Sequence, residues 1–218
     1  MKTAVIAGAS GLVGKQLIFK LIESPEYHKI IVLVRTPIQI KHPKVVQVKV
    51  DFDKLNEFRE EIKGDHFFCC LGTTMKKAGS KEAFYKVDFT YCLNFAKTAE
   101  ANLATKFLLI SSIGADSSSS VYYSKVKGEL EIQISKLNIP EIHIFHPSIL
   151  VGNRLEFRFG EIIGIAIAKI ISPLFVGGMK KYKPMEVTIL AQAMLNVALQ
   201  TEKPLNNTWS YKEIMSII

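Results

Sequence analysis

The chain has 218 residues, 48% of them hydrophobic, which suits one α/β unit with a sizeable core. Its formal net charge of +8 comes from Lys and Arg scattered along the chain, with only short pairs such as Lys76-Lys77 and Lys180-Lys181. That pattern points to solubility and attraction of anionic small molecules and argues against a nucleic-acid partner.

An apolar strand, Ala4 to Ala7, runs into Gly8-Ala9-Ser10-Gly11-Leu12-Val13-Gly14 and on into an amphipathic helix, Val13 to Leu21. Gly8 suits a tight exit from the strand. Gly11 leaves out the Cβ that would hold a pyrophosphate off the backbone, and Gly14 lets the helix lie close on the sheet. The helix N-terminus offers free N–H groups and the positive end of its dipole to phosphate oxygens, with the Ser10 hydroxyl as a further donor. A buried strand follows at Lys29 to Val34 and ends on Arg35. At this position, about 20 residues past the glycines, an acidic side chain holds the 2′-hydroxyl of NAD and an Arg accepts the 2′-phosphate of NADP. With no Asp or Glu there, NADP is favoured.

Val45 to Val50 reads as a third strand closing on Asp51 and Phe52, positions that flank an adenine in folds of this kind, and a short helix is expected from Leu55 to Ile62. His66 to Leu71 is a fourth strand; after it, Gly72 lets the backbone approach a ligand at the carboxyl edge of the sheet, with Thr73 and Thr74 in the turn. Cys69 and Cys70 read as buried small hydrophobes. With Cys92 isolated, no Cys-x-x-Cys spacing exists, which fits a reduced, cytoplasmic protein. A strand within a few residues of Met1 is expected to leave no room for a secretory h-region.

Ser80 caps the longest helical pattern, reaching Ala101 and striped by Phe84, Val87, Tyr91, Phe95 and Ala99. Asp88 interrupts it with a carboxylate that is either solvated or turned to a ligand cleft. Lys106 to Ile110 is the fifth strand and ends in Ser111-Ser112-Ile113-Gly114. Beyond the polar loop Asp116 to Ser120 a helix begins near Tyr122, and on it Tyr123 and Lys127 share a face one turn apart.

Ile142 to Phe145 is a sixth strand, and His146-Pro147 a turn away from the sheet edge. His143 and His146 lack a third ligand of suitable spacing, so ordinary polar roles are expected and metal is not. The apolar stretch Ile162 to Met179 is interrupted by Lys169 and Pro173 short of the ~20 residues a membrane span needs, so no membrane partner is expected. Helices are expected at Glu161 to Ile171, at Pro184 to Gln200 entered through Pro184, and at Tyr211 to Ile217, so that residues 151–218 contribute a small cap over the cleft.

Taken in order, GASGLVG from Gly8, CLGTT from Cys70, SSIGA from Ser111, YSKVK from Tyr123 with GELE after it, and HPSILVGNR from His146 resemble the short-chain dehydrogenase/reductase superfamily. Within it the chain is similar to the atypical branch around the oxidoreductase-like Tat-interacting protein, over roughly Met1 to Glu161. The resemblance implies a single Rossmann-fold domain over residues 1–218, a doubly wound parallel sheet with a small C-terminal helical cap. It implies that Gly8, Ser10, Gly11 and Val13, with Gly14 beside them, line the phosphates of NADP(H), and that Arg35 and Thr36 bind the adenosine 2′-phosphate. Leu71, Gly72 and Thr73 would pass beside the adenine-linked ribose, and Leu150 and Arg158 would approach the nicotinamide end.

By the same resemblance Tyr123 is the general acid, and Lys127 holds the nicotinamide ribose and assists the phenol. The serine partner is Ser111, which fits a Ser-x-x-Gly spacing to Gly114, or Ser112, which lies nearer Tyr123. Where the superfamily has Asn on the long helix, this chain has Asp88. The implied activity is hydride transfer between NADPH and a small aldehyde, ketone or quinone by a monomer or homodimer. The alternative is a non-catalytic NADP(H)-binding regulator or redox sensor, which has no need of a proton donor.

Overall fold

The computed structural model describes residues 1–152, 183–201 and 208–218, and its sheet follows from strands that are apolar on both sides. In β1 (Lys2–Ala7) and β2 (Tyr27–Val34) alternate residues serve opposite faces. Ala4, Ile6, Ile30, Val32 and Val34 enter one core, while Val5, Ala7, Ile31 and Leu33 enter the other. β3 (Val45–Lys49), β4 (His66–Cys69), β5 (Lys106–Ile110) and β6 (Glu141–Phe145) join them in parallel, in the order β3-β2-β1-β4-β5-β6. β7 (Leu150–Val151) and β8 (Met185–Glu186) form a separate parallel pair, and β9 (Thr208–Trp209) adds a seventh strand beside β6. The doubly wound parallel sheet read from the sequence is present. Because β1 lies between β2 and β4, the order of travel reverses there, which opens a crevice at the carboxyl ends of those strands.

One face of the sheet is covered by α1 (Leu12–Glu23). The succeeding helices are α2 (Met75–Ala78), α3 (Lys81–Tyr85), α4 (Cys92–Ala101), α5 (Tyr122–Ile134), α6 (Val187–Leu199) and α7 (Tyr211–Ser216). α6 packs beside α1 with α7 against it, and α4 and α5 cover the opposite face. α6 and α7, expected in a cap over the cleft, thus stand in the layer beside α1. The helix expected from Glu161 to Ile171 lies outside the described residues.

Several elements depart from the sequence reading for local reasons. The short helix expected at Leu55 is a 3-10 turn, Phe52–Phe58, because the Asp51 carboxylate accepts the Asp53 N–H at 2.9 Å and starts it three residues early. Ser80 does cap α3, accepting the Ala83 N–H at 3.1 Å, but the long helix is then interrupted by a π-helical segment, Lys86–Tyr91. Within and just after it Asp88 and Cys92, four and eight residues beyond Phe84, are buried, while Val87 and Tyr91 of the expected stripe are only half-buried. The helix expected to enter through Pro184 begins at Val187, since Met185 and Glu186 pair with β7. The sheet edge does not end at His146: its N–H donates to the Trp209 carbonyl at 2.8 Å, which seats β9. Among the described residues no helix is long and apolar enough to cross a membrane, and no cluster of His, Cys, Asp and Glu is arranged to hold a metal ion.

Candidate active site

The glycines at the β1 exit have three different jobs. Gly8 has φ +90°, and a Cβ there would stand 2.3 Å from the Cys70 carbonyl oxygen, so the loop presses on the end of β4. A Cβ at Gly14 would lie 2.3 Å from the carbonyl oxygen of Gly8, the residue that follows β1, so the first turn of α1 packs closely on the strand exit. Gly11 is extended, with its N–H on the Gly8 carbonyl at 2.9 Å, and a Cβ would meet that oxygen at 3.1 Å, a tight contact without overlap. It is the N-cap of α1, with no capping side chain and no acidic residue in the first turn, so no carboxylate competes there for the amides that an anion would take. Ser10 is exposed on this loop, whereas the Val13 side chain is buried in the core, leaving Val13 only its backbone to offer a phosphate.

Arg35 and Thr36 are exposed just past β2, whose Leu33 pairs with Ala7, so they stand at the same sheet edge as the glycine loop. Asp51 is engaged as the cap of the 3-10 turn, and Phe52 is buried with its ring 5.5 Å from that of Tyr91. Leu150 packs half-buried against the α1 core. A Cβ on Gly152 would lie 3.7 Å from Leu12, which brings the β7 segment to the start of α1. Arg158 lies outside the described residues.

On the other side of the crevice a buried ion pair joins the π-helical segment to α5. Lys127 Nζ is 2.8 Å from Asp88 Oδ1, their side chains 3% and 1% exposed. Asp88 Oδ2 accepts the Thr73 N–H at 2.7 Å. Burial by itself would push the Lys127 ammonium down; Asp88, then Tyr123 and Cys92, outweigh it and hold the group above the ordinary lysine value. The Gly72 backbone runs past this pair, since a Cβ there would lie 3.5 Å from Asp88 Oδ1 and 3.9 Å from Lys127 Nζ. Leu71 is half-buried against the α4 and α5 core. α5 is clamped from outside: a Cβ on Gly128 would stand 2.2 Å from the Ser117 nitrogen, and the Asp116 N–H bonds the Ser124 carbonyl at 3.0 Å. Tyr123, half-buried, packs on Phe84 with ring centroids 5.6 Å apart.

The two serines after β5 separate cleanly. Ser111 continues the alternation of Phe107 and Leu109 toward α5, where its hydroxyl is taken by Glu131, itself 2.8 Å from His146 Nε2. The Ser112 hydroxyl is buried with no hydrogen-bond partner among the described residues. Its carbonyl accepts the Ala115 N–H at 3.2 Å in the loop that leads to α5. Sequence spacing alone could not choose between them, and it gave Glu131 and the His146 side chain no site role. Asp88 carried a signal, a carboxylate in an apolar stripe, but not its partners.

A family model described as NAD(P)H-binding matches residues 8–134. The chain is 39% identical over 164 residues to Protein HTATIP2 of Rattus norvegicus, covering 73% of this chain and 67% of that protein. It is 32% identical over 199 residues to "Protein FMP52, mitochondrial" of Candida albicans, covering 88% and 86%. Among solved structures, the Bordetella bronchiseptica enzyme WbmH in complex with NAD+ superposes with a TM-score of 0.67 at 15% identity, over 89% of this chain and 71% of that one. The oxidoreductase ylbE from Lactococcus lactis gives 0.68 at 16% identity, over 98% and 95%. At such identities the structures speak for the fold alone.

Proposed function

This chain belongs to the NAD(P)H-binding family, and from that premise we propose that it is an NADP(H)-dependent oxidoreductase that reduces a small aldehyde, ketone or quinone. The dinucleotide fits the residues present: Gly11 and the uncapped first turn of α1 leave backbone amides for the pyrophosphate, Arg35 and Thr36 are exposed for a 2′-phosphate, and Gly72 gives access beside Lys127 for a ribose.

The observation that carries the catalytic reading is the buried Ser112 hydroxyl, which has no hydrogen-bond partner among the described residues. A buried hydroxyl left without a hydrogen bond is destabilising by about 1–3 kcal/mol, a penalty relieved when a substrate carbonyl oxygen accepts from it. Bound nicotinamide supplies the hydride. The side chains manage the charge that develops on oxygen: Tyr123 donates a proton to it, and Ser112 donates a hydrogen bond to the same atom. Lys127, positively charged one turn from Tyr123, stabilises the phenolate left behind and holds the ribose. Ser111, already bonded to Glu131, positions the β5 end rather than the substrate.

The test is NADPH consumption by the full chain against a panel of aldehydes, ketones and quinones, alongside titrations with NADPH and NADH. Turnover with one carbonyl class and tighter binding of NADPH are expected. Tight NADPH binding without turnover on any substrate would move the chain to the redox-sensor reading; no nucleotide binding at all would remove both. A cytoplasmic location goes with this reading, against the mitochondrial label in the Candida relative's name, and fractionation of cells expressing the protein decides between them.

A further inference from the structure

The buried carboxylate on the π-helical segment has no part in the steps above, yet it touches both walls of the crevice. We infer that Asp88 is a positioning residue whose two oxygens fix the Lys127 ammonium and the Thr73 backbone as one piece, so that the ribose seat is formed before the nucleotide arrives. The inference rests on the proposed reading in one respect, that Lys127 and the Gly72 backbone border the cofactor.

Three observations carry it. Asp88 uses its oxygens on different elements, Oδ1 on Lys127 of α5 at 2.8 Å and Oδ2 on the Thr73 N–H beyond β4 at 2.7 Å. The carboxylate faces inward from the π-helical segment, four residues beyond buried Phe84, and Asp88 is 1% exposed. The residue before Thr73 is glycine, and a Cβ on it would stand within contact distance of both Asp88 Oδ1 and Lys127 Nζ. A direct ion pair also does what a neutral amide cannot. Lys127 is buried, so without a counter-charge desolvation would favour loss of its proton. Tyr123 on its own helix and Cys92 on α4 are the other titratable groups facing it, with Cys69 on β4 behind Cys92. Asp88 is the carboxylate among these groups, so it keeps the ammonium charged as well as aimed.

The experiment measures NADPH dissociation constants of the full chain from pH 6 to pH 10 for the wild type, Lys127→Met, Asp88→Asn and Asp88→Ala, with a melting curve for each. Lys127→Met should weaken binding about tenfold or more, as loss of a charged hydrogen bond does. Both Asp88 variants should also weaken it at neutral pH. Their affinity should fall further as pH rises through the range where the wild type is flat, because the unpaired lysine then loses its proton. Asp88→Asn keeps the shape and one acceptor oxygen, so it remains informative if Asp88→Ala melts too low to assay. A purely structural carboxylate would lower the melting temperature without this new pH dependence, and that result overturns the inference. Wild-type affinity and pH profile in Asp88→Asn, with Lys127→Met weakened, also overturns it and leaves the proposed site standing. Unchanged binding in Lys127→Met removes the site reading and this inference together.

Discussion

Two lysines are buried among the described residues, and the contrast between them separates the two ends of the sheet. Lys106, at the amino end of β5, gives its ammonium to the Gln200 carbonyl at 2.5 Å and to Glu141 at 3.1 Å. Around it stand His66, in register on β4, and His143, which shares Glu141 and accepts from the Trp209 indole at 3.4 Å. Lys127, toward the carboxyl end, is paired with Asp88 beside the open backbone of Gly72. An ammonium has three donors. The first lysine directs its contacts to β6 and to the end of α6; the second makes its charged contact with Asp88 among the described residues. Both are buried charges of the same type, so burial alone does not mark a functional residue. The two ends differ in what else they hold: after the carboxyl end of β5 the buried Ser112 hydroxyl has no hydrogen-bond partner among the described residues.

The strongest way to break this contrast is at the neighbour of Lys127. With a carbonyl substrate in hand, Tyr123→Phe should reduce kcat by about 10²–10⁴-fold while leaving NADPH affinity nearly intact, since the phenol acts on the substrate oxygen in the transition state. Steady-state kinetics beside a nucleotide titration check this, and near-normal turnover would place the proton donor elsewhere. At the other end, Lys106→Met should leave NADPH affinity within about twofold and lower stability by about 2–4 kcal/mol, because Glu141 and the Gln200 carbonyl lose their donor. Denaturant unfolding reads the second effect. A large loss of nucleotide affinity would mean the two ends are coupled after all.

The amino end should also show a pH response of its own. Tyr27 and His66 are hydrogen-bonded at 2.6 Å, and burial, then Lys106 and Lys2, push the imidazole down from 6.5 to about 4. Burial first, then Asp65 and Glu26, drives the Tyr27 phenol upward, so it is the donor and His66 Nδ1 the acceptor. Protonation of His66 removes that acceptor. The unfolded chain takes up the proton first as pH falls, so the contribution is complete above pH 6.5 and lost progressively toward pH 4, amounting to about 3 kcal/mol. His66→Gln, which keeps an acceptor and does not titrate, should remove this part of the slope in unfolding curves taken across that range. The smallest effect is expected at Arg35: Arg35→Ala should weaken NADPH about tenfold, leave NADH unchanged and not alter the melting curve. An unchanged preference between the nucleotides would detach Arg35 from the 2′-phosphate.

The half of the candidate site around the glycine loop was legible as a strand–turn–helix because its determinants are local. Gly8, Gly11 and Gly14 are close in sequence, and the backbone geometry they permit is set by the absence of a Cβ at those positions. The strands were legible for the same kind of reason, since residues apolar on both faces leave a parallel sheet as the fold that buries them, and the carboxyl ends of β1 and β4 then locate the crevice. What only the tertiary structure decided is how the polar side chains pair. The stripe read from the sequence included Val87, whereas the buried residue is Asp88, held by Lys127 and the Thr73 N–H; Ser111 and Ser112 were equivalent until Glu131, 20 residues away, took one of them. β9 is two residues long, too short to carry a period, and is defined by its pairing with β6 and by the His146 N–H on the Trp209 carbonyl. Pattern along a chain reports how much of each residue is buried, while the partner of a buried charge or hydroxyl comes from a distant segment, and that choice is made when the layers close on the sheet.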